Sequence, residues 1–117
     1  MPRDSKSQKL ISDAALGSLM ALGGRLKEAR LRRNWTQTLA AEKAGLSESS
    51  IKKVEGGSAR ISVSAYLSLL DVYGMPTAFD QVMAPGEDTL GEALSRSALR
   101  QRARSAKQET SVDEWEI

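Results

Sequence analysis

Residues 36–57, TQTLAAEKAGLSESSIKKVEGG, hold two short helical patterns broken at Gly45, and no other stretch constrains the fold as much. Ala40, Ala41 and Ala44 share one face of the first pattern, and Ile51 and Val54, three apart, share one face of the second. Neither face is wide enough to be stable alone, so the two must meet. Gly45 suits the left-handed backbone that ends a helix, Leu46 can plug the angle, and Ser47 offers a hydroxyl to cap the next helix. Left outward on the second helix are Glu48, Ser49, Lys52 and Lys53, a polar row able to exchange hydrogen bonds inside a groove.

This is the sequence form of a helix-turn-helix, and the charge distribution agrees with a polyanionic partner. Residues 1–60 carry 12 Lys and Arg against 6 Asp and Glu, residues 61–86 none against 2, and residues 87–117 carry 5 against 7. The positive field thus sits with the helix pair, where phosphate neutralisation would release counterions. Histidine and cysteine are both absent, which removes disulfides, thiolate metal sites and the commonest general base. With no glycine-rich phosphate loop either, neither an enzyme nor a cofactor or metal is expected. Apolar runs fall far short of the roughly 20 residues a membrane helix needs, and residues 1–9 lack a hydrophobic signal core. The expectation is a cytoplasmic chain without membrane contact.

The flanks fill in the organisation. MPRDSKSQK at 1–9 is polar, a loose basic arm with Arg3, Lys6 and Lys9. Leu10, Ile11, Ala14 and Ala15 predict a short helix that ends near Gly17 or continues toward Gly23-Gly24. A further helix is expected from Gly24 to Arg33, with Leu22, Leu26 and Ala29 inward, Arg25, Lys27, Arg32 and Arg33 toward solvent, and Trp35 plugging the next junction. After Gly56-Gly57 comes a loop, Ser58 to Arg60, suited to a phosphate, then Ile61 as a buried anchor. Ser62 or Ser64 would cap a helix carrying Val63, Tyr66, Leu67, Leu70 and Tyr73, and Pro76 would open a last helix bearing Phe79, Val82 and Met83. Three segments follow: 1–21, an arm and short helix; 22–85, the compact domain; and 86–117, an extension. In the extension Leu90, Leu94 and Ala98 recur beside Arg96, Arg100, Arg102 and Arg104, in an amphipathic pattern that Gly91 weakens.

Over about residues 22–84 the chain resembles the Xre/lambda-repressor-like family of DNA-binding domains. The family pattern runs helix, T-Q, small alanine, Gly turn, S-x-S-I, then E-x-G, here Thr36-Gln37, Ala41, Gly45, the SESSI of 47–51 and Glu55-Gly56-Gly57. The resemblance implies an all-α, five-helix domain, with an extra N-terminal helix and a flexible, partly helical C-terminal tail. It implies that Arg30 pairs with Glu55 and that Gln37 contacts a phosphate or supports the base-reading side chains. The DNA-contacting set is expected to be Thr36, Gln37, Ser47, Glu48, Ser49, Ser50, Lys52, Lys53 and Arg60. One departure stands out: where the family places an exposed acid and then a buried leucine, this chain has Leu39 and then Ala40, so Leu39 either faces out or turns inward to fill the gap.

The function so implied is a sequence-specific repressor that binds an inverted-repeat operator of double-stranded DNA as a homodimer. The order of parts, with R-Q-R-A-R at 100–104 and D-E-W-E at 113–116, also resembles HipB-like antitoxins. That likeness implies autoregulation and a HipA-like kinase toxin as partner, with Trp115 and Ile117 as its docking residues. A stand-alone Xre-type regulator and a protein-protein adaptor on the same fold remain the alternatives.

Overall fold

A computed structural model describes residues 10–109. Among them are five α-helices and no strand: α1 (Asp13–Arg32), α2 (Gln37–Ala44), α3 (Glu48–Glu55), α4 (Val63–Val72) and α5 (Thr89–Glu109), with a 3-10 turn at Ala78–Gln81. The architecture is all-α and lambda-repressor-like. The chain divides into two compact units, one ending at Ala78 and one beginning at Phe79. The basic arm of 1–9 and the docking residues Trp115 and Ile117 lie outside the described residues.

In the first unit α3 is central, packing against α1, α2 and α4. Its inward Ile51 and Val54 are fully buried, facing a core of Leu26, Ala29, Ala40, Ala41, Tyr66 and Leu69. The turn before it forms as its residues dictate: Gly45 is left-handed at φ 70°, and the Ser47 hydroxyl accepts from the Ser50 amide at 3.0 Å. Ala40 is fully buried, and Leu39, for which both an outward and an inward placement were open, is half-buried, between the two.

Four expectations about the elements need correction. The N-terminal helix, capped by Ser12, does not end near Gly17 but continues through Gly23-Gly24, the second of the two expected outcomes, and is not separate from the helix expected from Gly24: the two are one continuous 20-residue helix. Interior glycine costs a helix only about 1 kcal/mol, and Gly23 has a compensating use. A Cβ there would stand 2.5 Å from the Val54 carbonyl oxygen and 2.7 Å from the Gly57 nitrogen, so the missing side chain lets α1 lie directly on the end of α3.

The buried face of α4 is Ala65, Tyr66, Leu69 and Leu70, continued by Tyr73, whereas the expected Val63 is 59% exposed and Leu67 points outward. Apolar residues occupy most positions of this helix, so spacing alone does not select its inner face. Ile61 is half-buried rather than enclosed. Finally, no α-helix forms across 76–84; there is only the 3-10 turn, and Met83 adopts φ 60°. A short helix in water is held by burial of its apolar face, and Val82 and Met83 are exposed.

In the second unit, the Asp88 carboxylate accepts from the Gly91 amide at 3.0 Å at the start of α5, offsetting the glycine that weakens the pattern. Glu92 accepts from the Gly86 amide at 2.9 Å. Among the described residues no helix is long and apolar enough to cross a membrane, and no group of carboxylates could hold a metal ion.

Candidate nucleic-acid interface

The site is organised around one carboxylate. Glu55, in the last turn of α3, accepts from Arg30 Nε at 2.7 Å, from Arg30 Nη2 at 3.1 Å and from Gln37 Nε2 at 3.0 Å. Arg30 comes from α1 and spends its remaining fork on the Trp35 carbonyl at 2.9 Å. The two side chains are only 8% and 4% exposed. Bidentate geometry of this kind is among the stronger charge-assisted contacts, and the hydrogen bonds to Glu55 hold the guanidinium pKa above its usual value despite desolvation. Three elements are thereby tied at the C-terminal end of α3, with Gln37 held from the first residue of α2.

A second fastening clamps the two helices of the motif directly: the Thr38 hydroxyl of α2 donates to the Glu48 carboxylate of α3. Glu48, expected in the outward row, therefore has an intramolecular partner. Thr36 and Ser47 serve as N-caps, accepting from the Leu39 and Ser50 amides, and the Ser47 hydroxyl also donates to that of Ser50. Of the nine residues expected to contact DNA, Ser49, Lys52 and Lys53 are exposed on α3 and make no side-chain hydrogen bond among the described residues. Arg60 is exposed beyond the left-handed Gly57, in a loop whose Ser58 carbonyl accepts from the Tyr66 hydroxyl at 2.7 Å.

Three side-chain contacts escaped sequence reasoning, those of Arg33, Lys43 and Thr38. Arg33 is exposed, as expected, yet its guanidinium also donates to the Ala29 and Tyr73 carbonyls at 2.9 and 3.0 Å and lies 5.0 Å from the centre of the Tyr73 ring. A basic residue at a helix end commonly seeks such carbonyls, and that signal could have found it. Lys43 lies 5.0 Å over the Trp35 ring, which in turn packs 5.8 Å from Tyr73. For Thr38 no signal existed, because its partner is ten residues away on another helix.

What this geometry can do is present a short polar row on a rigid helix whose charged neighbours are already satisfied. A family model described as a helix-turn-helix domain matches residues 21–79, about half of the chain. The chain belongs to that family, and it carries the domain of a DNA-binding regulator. No curated protein and no solved structure matches it.

Proposed function

We propose that this protein is a sequence-specific transcriptional repressor that acts as a homodimer on an inverted repeat, placing α3 of each protomer in successive major grooves. The observation that carries the reading is the contrast along α3: Glu48 and Glu55 are bonded within the fold, while Ser49, Lys52 and Lys53 are left free to meet a ligand. A serine or lysine in that place can bond to base edges, and lysine most often to guanine. Dimerisation is supported by arithmetic, since one short helix reads few base pairs, and by the exposed Leu10, Met20, Val82 and Met83. Half-sites about 34 Å apart are expected for such a pair.

Operator duplexes selected from a random pool supply the test. Ser49→Ala and Lys53→Ala should each weaken operator binding by about 1–3 kcal/mol and relax the preference at one position, whereas Arg60→Ala should lower affinity alike for operator and scrambled duplex. Gln37→Ala should act indirectly, by freeing the Glu55 carboxylate it now holds. Unchanged operator binding in variants of Ser49, Lys52 and Lys53 would dispose of the assigned reading head. Sedimentation as a monomer with one-to-one operator binding would dispose of the dimer.

The antitoxin role is the finer part of the proposal, and its support is the sequence of 100–117 alone. If it holds, removing residues 108–117 leaves operator affinity intact and weakens co-purification with a HipA-like kinase encoded beside this gene. Loss of DNA binding with full retention of that partner would overturn it.

A further inference from the structure

The arginines of α5 have no use in the reading above. Arg96, Arg100 and Arg104 recur every four residues, so they stand in one row along the helix, extending roughly 12 Å at 1.5 Å per residue. Arg102 lies off that row. Between 89 and 106 the only carboxylate is Glu92, the residue four before Arg96, and it accepts from the Gly86 amide. None of the four arginines has a hydrogen bond or ion pair among the described residues. Within the row each arginine has an arginine as its neighbour four residues along, and like charges at that spacing destabilise an isolated helix. A solvated surface helix ordinarily alternates sign, and this row does not.

We propose that α5 is a second DNA-contacting element, whose Arg96, Arg100 and Arg104 neutralise backbone phosphates outside the bases read by α3; the inference rests on the DNA-binding reading above. Duplex DNA carries one charge per about 1.7 Å of axis, so a row of this length faces more phosphate charge than three guanidiniums can saturate. Guanidinium forks match phosphate oxygens bidentately, and binding there relieves the repulsion inside the row. The alternative of a membrane surface is disfavoured by the apolar side of α5. There the leucines are Leu90, Leu94 and Leu99, with no aromatic residue to anchor in headgroups. Because α5 is covalently joined to the helix-turn-helix unit, its phosphate contact is an intramolecular event once α3 is bound.

The test uses the full chain and its R96Q/R100Q/R104Q variant, titrated on operator and on scrambled duplex across a salt series, with Arg102→Gln as the off-row comparison. Glutamine retains helix propensity, and circular dichroism checks that both variants fold. The wild-type log–log salt slope should become shallower by about 2.7 in the triple variant, equal to roughly 40-fold of affinity between 50 and 200 mM salt. The operator-to-scrambled ratio should be kept, because phosphate contacts carry no sequence information. Arg102→Gln should change the slope by less than a third as much. A triple variant with the wild-type slope overturns the proposal, as does an Arg102→Gln effect equal to that of the whole row. Binding to phosphatidylserine vesicles that the triple variant alone loses, with DNA slopes unchanged, would assign the row to a lipid surface instead. A wild-type chain that binds no duplex at all refutes the DNA reading itself rather than the role of α5.

Discussion

Replacing Arg30 or Glu55 by alanine should cost about 3–5 kcal/mol of unfolding free energy, because either change leaves a buried charge without its partner. The pair is enclosed, and its carboxylate serves three donors from α1 and α2 at once. Domains of this size are stable by only about 5–15 kcal/mol, so the single variants should melt early and lose the angle at which α3 is held. The double variant is the sharper measurement. With neither charge left behind, it should lose well under the sum of the two single losses, a coupling that denaturant unfolding of all four proteins would read directly. Strict additivity would mean that the two groups act independently, against the geometry observed.

The second large effect separates two adjacent glycines. Gly23→Ala places a methyl 2.5 Å from the Val54 carbonyl oxygen and 2.8 Å from that of Glu55, both backbone atoms fixed by α3, so α1 must shift bodily. Overpacking of this kind costs about 1–3 kcal/mol and occasionally more, and the upper end is expected where backbone is the obstacle. Gly24→Ala meets nothing within 4 Å and should stabilise the protein by about 0.5–1 kcal/mol, through helix propensity and a less flexible unfolded chain. Thermal unfolding of the two variants should therefore move in opposite directions. A shared direction would show that α1 and α3 do not meet as closely as described. Gly57→Ala joins the damaging class, since Gly57 holds φ 72° and an added methyl would run into the Met20 backbone of α1.

How much of this was legible beforehand depended on the range of each interaction. The cap at Ser47, the left-handed turn at Gly45 and the inward pair Ile51 and Val54 rest on spacings of three or four residues, and all three read correctly from local order. The face of α4 read only in part: Tyr66, Leu70 and Tyr73 are inward as expected and Val63 and Leu67 are not, because a helix apolar on most sides leaves the choice to whatever packs against it. Arg33 is exposed, as its place in the helix suggests, but its bond to the Tyr73 carbonyl was not legible, because that acceptor lies 40 residues away.

The sequence by itself determined that two helices meet at a glycine turn, that basic charge gathers in the same half, and that histidine and cysteine chemistry is absent. Those properties are set by local backbone preference and by composition, which need no partner to be expressed. Only the tertiary structure decided that α1 runs unbroken through Gly23, that Glu48 is held by Thr38, and that Ser49, Lys52 and Lys53 remain the free part of the row. Each of these depends on what other elements of the fold bring, or do not bring, against a helix, and local order does not state it. A residue's availability to a ligand is what its own fold leaves unused.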